Sequence, residues 1–242
     1  MKKNKKHLSR EEGIVVNDYH NGSVVEAYNR LRDNILYYSL DGTNRVIQIE
    51  SSVSGEGKTV LLANLAVALG KANKKVVVID MDFRRARIHR PFRVENVDGL
   101  ADYLLGKVTK EKMIKKTAFD VDIINRGSKV ENTISIITSE KIKKLVAELK
   151  EEYDYVLIDC PPVLAVSDYI HIGQIAECCI FTVAHGITKK AQVKEAVAEL
   201  KKNNINVIGT VYTFYNESKD QYSYNYRYCN KYGYTNYTPD QK

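Results

Sequence analysis

Two short runs, VVVID at residues 76–80 and YVLID at 155–159, are apolar at every position until they end on an aspartate. A strand with one wet face alternates apolar and polar residues. A strand that is apolar throughout has both faces covered, as in a parallel sheet packed between helices. The first of these runs is taken as a strand from Lys75, over 75–80, and further strand candidates lie at 46–50, 121–124, 178–183 and 206–212. Between them the apolar residues recur with helical spacing near 58–71, 99–105, 109–116, 139–152, 167–176 and 188–203. An earlier helix spans 23–40, with Val24, Tyr28, Leu31, Ile35 and Tyr38 on one side and Ser23 with Glu26 as a capping box. The alternation predicts an α/β fold: three layers, α/β/α, around a mainly parallel sheet. After Thr213 the pattern stops. Three segments follow: a basic flexible N-terminal arm at 1–22, an α/β domain at 23–213, and a flexible tyrosine-rich tail at 214–242.

Composition removes several alternatives. A chain of 242 residues with 44% hydrophobic and 28% charged residues is neither disordered throughout nor fibrous. No stretch approaches the roughly 20 apolar residues of a membrane span. The opening MKKNKKHLSR leads into no apolar segment, so no secretory signal is expected. Net charge is +7, but Lys2, Lys3, Lys5, Lys6 and Arg10 stand within the first ten residues. The rest is nearly neutral, which argues against nucleic acid as a partner. The basic arm is read as a solvated terminus, with attraction to anionic lipid headgroups, about 1 kcal/mol per basic residue, as the second reading. Cys160, Cys178, Cys179 and Cys229 have no C-x-x-C spacing and suit a reducing compartment rather than a metal site or disulfide frame.

The loop between the first strand and the next helix reads SVSGEGKT at 52–59. It matches the phosphate-binding pattern G-x-x-x-x-G-K-[ST], except that Ser52 replaces the first glycine. Backbone N–H groups of Ser54, Gly55, Glu56, Gly57, Lys58, Thr59 and Val60 are expected to cradle the phosphates of a nucleotide. The helix N-terminus adds positive potential. Lys58 would reach the terminal phosphates and the Thr59 hydroxyl would bind Mg²⁺. This is the P-loop NTPase plan, with ATP and Mg²⁺ as the expected cofactors. Asp80, Asp82 and Asp159 stand at strand ends, where open α/β sheets bind ligands. Period-two spacing points Asp80 and Asp82 the same way if the strand continues through both.

Aromatic usage is uneven: 17 Tyr, 5 Phe and no Trp. Nine of the tyrosines fall within residues 212–242, among Ser, Asn, Lys and Gly. Such a segment cannot bury a core. Alternate tyrosines at 222–228 leave a β-strand open, and a stacking low-complexity tail is a further alternative.

Together SVSGEGKT, VVVIDMDFRRARIHR, VLIDCPP, GLADYLLGK at 99–107 and the tyrosine-rich end resemble the bacterial tyrosine kinases of the capsule and exopolysaccharide type, within the MinD/ParA-like P-loop ATPases. The resemblance covers about residues 23–237. It implies an ATP-dependent tyrosine autokinase regulating polysaccharide production and export. Lys58 would bind the β- and γ-phosphates. Thr59, Asp82 and Asp159 would hold the metal, and Asp80 would accept the proton of the attacking phenol. Tyr215, Tyr222, Tyr224, Tyr226, Tyr228, Tyr232, Tyr234 and Tyr237 would be the phosphate acceptors. Arg84, Arg85 and Arg87 would contact phosphate or a neighbouring subunit, or form a solvated basic face. The family's ring-forming E-x-x-R-x-x-R pattern maps onto Glu26, Asn29 and Arg32, with Arg30 one step past the altered middle position. Thr213 stands where relatives carry an adenine-reading asparagine, Ala184 where an arginine is common, and Cys160 where a threonine is common. The implied partners are a membrane-bound activator or polysaccharide co-polymerase acting through its cytoplasmic segment, other copies in a ring, and a cognate tyrosine phosphatase. The implied location is cytoplasmic, at the inner face of the plasma membrane through that partner. The other readings are a MinD/ParA-like ATPase switch and a catalytically weak nucleotide-binding scaffold. The region Ser52-Val53-Ser54, where such switches add a lysine, and the tyrosine-rich end speak against the switch.

Overall fold

The computed structural model describes residues 13–16 and 22–215. The elements run α1 (Gly22–Tyr38), β1 (Val46–Ser51), α2 (Lys58–Lys71), β2 (Val76–Asp80), α3 (Leu100–Leu104), α4 (Lys110–Met113), β3 (Lys115–Lys116) and β4 (Val121–Ile124). They continue α5 (Thr133–Ile137), α6 (Glu140–Glu152), β5 (Tyr155–Asp159), α7 (Asp168–Gly173), β6 (Cys178–Ala184), α8 (Lys190–Lys202) and β7 (Val207–Thr213). The strands form one seven-stranded sheet in the order β3-β4-β2-β5-β1-β6-β7. Every pairing is parallel except β3 against β4.

The fully apolar strands have both faces covered, as their composition requires. Ile47, Ile49, Val76, Val78 and Leu157 pack with Leu61, Leu62, Leu65 and Leu69 of α2. Their neighbours Val46, Val77, Ile79, Val156 and Ile158 point to the opposite face, against Ile142, Leu145 and Leu149 of α6. A third cluster, with Cys179 and Phe181 of β6 over Ala196 and Leu200 of α8, extends that second face. The layers are therefore α/β/α. In β1, β2 and β5 the side chain alternates faces at each residue, so the last residue of a strand is already committed to one layer. Ser51, Asp80 and Asp159 end on the α2 face, and Glu50 ends on the other.

Differences from the sequence expectation are local. Ser23 lies inside α1, one residue past its first position, so Ser23 is not the cap. The helix expected at 109–116 stops at Met113, because Lys115 and Lys116 turn to pair antiparallel with Ile123 and Asp122. The stretch TISII at 133–137, expected as loop, is a helical turn capped by Asn132, whose side chain accepts from the Ser135 N–H at 3.1 Å. Its β-branched residues have weak helical preference, and burial of Ile136 and Ile137 overrides it.

One glycine is enforced by a close approach. A Cβ on Gly99 would stand 2.3 Å from Asn125 Oδ1 and 2.3 Å from the Gly127 nitrogen. Gly99→Ala is therefore expected to cost about 3 kcal/mol, since backbone and not a pliable side chain must shift. Urea unfolding measures this; a midpoint equal to that of the unsubstituted protein contradicts it.

Candidate functional site

The loop leaving β1 reverses direction through two glycines in the left-handed region, Gly55 (φ 88°) and Gly57 (φ 82°). Only glycine adopts those angles without cost. Gly57 is the N-cap of α2 and no side chain caps that helix. The N–H groups of its first turn are thus left for an external anion. Lys58 opens α2, is 8% exposed, and donates from Nζ to Ser51 Oγ at 2.9 Å. The Glu56 side chain turns away from the loop's concave side and is buried. Its carboxylate accepts from the Val53 N–H at 2.8 Å and from the Thr188 hydroxyl. Its carbonyl accepts from Thr213 Oγ1 at 2.8 Å. The loop is therefore held from outside by the segments that follow β6 and end β7.

The carboxylates come from neighbouring strands. Asp80 and Asp159 are register partners across β2 and β5. Thr59 Oγ1 donates to Asp159 Oδ2 at 2.8 Å, while Asp159 Oδ1 is buried with no hydrogen-bond partner. Asp80 is fully buried. Its Oδ1 accepts from the Asp82 N–H (3.2 Å) and its Oδ2 from the N–H groups of Arg87 (3.0 Å) and Ile88 (3.2 Å). β2 ends at Asp80, so period-two geometry does not carry on to Asp82. Asp82 instead organises the next turn, its Oδ1 accepting from the N–H groups of Arg84 (3.2 Å) and Arg85 (2.8 Å).

Burial and mutual repulsion shape the charge here. Desolvation, then the charge of Asp159, pushes the Asp80 carboxyl well above the usual carboxylate range. Burial raises Asp159 to about 6 despite the opposing pull of Lys58 and the Thr59 hydroxyl. A pocket that crowds acids around one lysine suits a cation. The Thr59 hydroxyl, the partnerless oxygen of Asp159 and the nearby Asp82 fit Mg²⁺, which takes one or two carboxylates and completes its shell with water and phosphate.

An open cavity of ≈ 220 Å³ lies over the loop. Ser54, Gly55, Glu56, Gly57, Lys58, Thr59 and Val60 all line it, as does Asp82. Asp80 and Asp159 stand behind this lining. Arg85 and Arg87 also face the cavity, with Arg85 reaching Ser54 Oγ at 3.4 Å. Sequence reasoning missed Phe214, Pro91, Pro162 and the brace Thr188. Nothing in the local pattern marks them, because each reaches the loop only through the sheet order.

Other expected residues lie elsewhere. Glu26 and Arg30 pair with each other along α1 (3.4 Å), on exposed side chains. Arg32 pairs with Asp33 (2.8 Å) and donates to Asn29 Oδ1 (3.1 Å). Tyr215 packs edge-on against His185, with centroids 5.8 Å apart. Tyr222, Tyr224, Tyr226, Tyr228, Tyr232, Tyr234 and Tyr237 lie outside the described residues, as does the basic arm through residue 12. Among the described residues no helix is long and apolar enough to cross a membrane.

Across the sheet from the cavity, Glu50 is fully buried, and among the described residues neither carboxylate oxygen has a partner with full hydrogen-bond geometry. Burial pushes its pKa up to about 8, only partly offset by Lys58 and the Cys160 thiol. The folded state thus keeps a proton that the unfolded chain, near 4.5, gives up. Stability is full below the unfolded value and falls as pH rises toward 8, by on the order of 1 kcal/mol per unit. Glu50→Gln removes that slope. In urea unfolding at pH 5.5 and 7.5 the variant should gain on the unsubstituted protein at the higher pH. A gap that does not change with pH would show that Glu50 is ionised in the fold.

Comparison with known proteins agrees with the geometry. The AAA domain family matches residues 44–183. The chain is 34% identical over 187 residues to the tyrosine-protein kinase YwqD of Bacillus subtilis, covering 76% of this chain and 79% of that protein. It is 32% identical over 188 residues to the tyrosine-protein kinase wzc of Salmonella typhi, where 77% of this chain matches 26% of a much longer protein. Among solved structures, the kinase domain of the Escherichia coli tyrosine kinase ETK superposes with a TM-score of 0.79 at 27% identity, over 86% of this chain and 82% of that one. The septum site-determining protein MinD of Pyrococcus horikoshii, solved with Mg-ADP, gives a TM-score of 0.58 at 30% identity, over 69% and 68%.

Proposed function

Because the chain belongs to the AAA domain family and to the bacterial tyrosine-protein kinases, we propose that it moves the γ-phosphoryl group of ATP onto tyrosines of its own C-terminal segment. The observation that carries this reading is the convergence of Lys58, Thr59 and Asp82 on one cavity, with Asp159 behind them on Thr59 and with Phe214, at the start of the tyrosine-rich segment, on the rim. The bond from Pγ to the bridging oxygen breaks, a bond from Pγ to the phenol oxygen forms, and the phenol proton leaves to a base. Positioning and charge neutralisation supply most of what such a transfer needs. Lys58 and the first-turn N–H groups of α2 hold the phosphates. Thr59, Asp82 and Asp159 hold Mg²⁺, which would neutralise the charge on the phosphate oxygens. Asp80 is the proton acceptor: of about four lone-pair sites on a carboxylate, three take backbone N–H groups and one is left. Its burial means that residues 82–87 must shift for a phenol to reach it.

The resemblance of its motifs to the capsule and exopolysaccharide kinases supports the further reading that the chain regulates polysaccharide production and export. In keeping with that role, a membrane protein's cytoplasmic segment activates it, copies assemble through Glu26, Arg30 and Arg32, and a phosphatase resets it at the inner face of the membrane. An unmodified tail carries four basic and three acidic residues from 212 onward. Each phosphate adds roughly −1.5 to −2, so eight would drive it to about −11 to −15. That charge expels the tail from a neighbour's site. A bare ATPase switch is the weaker reading, since the ETK kinase domain covers more of the chain, at a higher TM-score, than MinD does.

The test is incubation with Mg-ATP and an activator segment, followed by phosphotyrosine mapping. Phosphate is expected on Tyr215 and on the tyrosines of residues 222–237, and is lost when residues 215–242 are deleted, while ATP hydrolysis persists. ATP hydrolysis by the full chain with no tail phosphotyrosine would favour the switch. Size measurement before and after phosphorylation tests the expulsion; an unchanged assembly counts against it.

A further inference from the structure

Phe214 is the one aromatic side chain among the described residues that line the cavity. It follows the last residue of β7 and belongs to none of the three apolar clusters of the core. Its backbone lies in the left-handed region, φ 57°, which bulky residues avoid. The other described non-glycine residues there are Asn, Asp and one Arg, so Phe214 is alone among them in being aromatic. It is also 40% exposed. A conformation of that cost, which leaves a phenyl ring in solvent, calls for a use of the ring.

The chain is anchored on both sides of Phe214. Thr213 Oγ1 donates to the Glu56 carbonyl of the phosphate loop at 2.8 Å. Tyr212 and Tyr215 pack around His185, whose Nδ1 lies 2.8 Å from the Tyr212 hydroxyl. The Phe214 Cζ lies 3.3 Å from the position a Cβ on Gly57 would take. The ring therefore borders the phosphate cradle itself, on a cavity whose other walls are largely polar and basic. The Thr213 hydroxyl has one hydrogen to give, and the Glu56 carbonyl takes it. Next to this ring the cavity offers a flat apolar face.

We propose that Phe214 is the stacking surface for the nucleobase, and so the residue by which the nucleotide site binds a base-bearing ligand more tightly than its phosphates alone. The inference rests on the nucleotide-site reading above. Stacking uses a face that every base possesses. Discrimination between adenine and guanine should accordingly be weak at this position.

The test compares two probes on the full chain by calorimetry: the non-hydrolysable ATP analogue AMP-PNP and inorganic tripolyphosphate, both with Mg²⁺. Tripolyphosphate has the charge and no base. Phe214→Ala should weaken AMP-PNP about tenfold and leave tripolyphosphate unchanged, as loss of one base stack would. Phe214→Gly, which relieves the backbone strain, should weaken AMP-PNP as much, and Phe214→Tyr should restore it. With 1,N⁶-etheno-ATP, a fluorescent base analogue, the fluorescence should be altered on binding to the unsubstituted protein and much less on binding to Phe214→Ala. Equal loss for both probes would overturn the proposal and make Phe214 a brace of the phosphate loop. Unchanged AMP-PNP affinity in Phe214→Ala would overturn it too. Failure of the unsubstituted chain to bind either probe would sink the nucleotide-site reading, and this one with it.

Discussion

Methionine in place of Lys58 is expected to lower phosphotyrosine formation by about 10³-fold while the fold persists. Electrostatic groups aimed at developing charge in a closed site are each worth about 10²–10³ in rate. Lys58 has a second part that enlarges the loss. It is the positive charge that offsets Asp159 and Glu50, both of which its presence pulls downward. Removing it leaves a cluster of buried acids with less reason to ionise, so the proposed metal ligands are weakened as well. Methionine keeps the length of the apolar stem, and among the described residues the only side-chain hydrogen bond lost is that to Ser51 Oγ. Thermal unfolding should therefore change little, while phosphotyrosine, followed by immunoblot and mass spectrometry, disappears. A variant that keeps activity within tenfold of the unsubstituted protein would remove Lys58 from the reaction.

Asp159→Asn should separate activity from stability in opposite directions. In the absence of Mg²⁺, Asp159 is a fully buried acid beside Asp80, with one oxygen partnered by Thr59 and the other by nothing. Buried like charges cost stability, and a neutral amide removes that cost while its carbonyl can still accept from Thr59. Thermal unfolding without metal is therefore expected to shift upward. The stabilisation that Mg-nucleotide confers should fall, and phosphotyrosine formation should drop about 10²-fold, because a bound ligand stabilises only in proportion to its affinity. Scanning both proteins with and without Mg-AMP-PNP reads all three effects. If the variant is destabilised without metal and still protected by Mg-AMP-PNP to the full extent, Asp159 is a structural acid and not a metal ligand.

Much of this was visible before any coordinates. VVVID and YVLID could only be central parallel strands, because no other arrangement hides both faces of so many adjacent apolar residues. Gly55 and Gly57 at a strand-to-helix junction, followed by Lys-Thr, pointed to a phosphate cradle. All seven loop residues expected there line the cavity. Where reasoning along the chain misplaced something, the cause was a long-range contact. Asp82 does not share a strand direction with Asp80, since the sheet gives out at Asp80 and backbone hydrogen bonds to its carboxylate bend the chain away. Residues 133–137 form a helical turn against their own propensity, because Ile136 and Ile137 are buried under the sheet.

Chemical type along the chain was enough to assign the layers of the fold, the residues of the cradle and the carboxylates at the strand ends. Those follow from local periodicity and from angles that only certain residues tolerate. The role of β7 was not accessible in that way. The order β5-β1-β6-β7 brings Thr213 and Phe214 to the phosphate loop, more than 150 positions away in the chain. Parallel strands ending at one edge converge whatever their distance in sequence, and that convergence turns a threonine into a brace and a phenylalanine into a wall of the cavity.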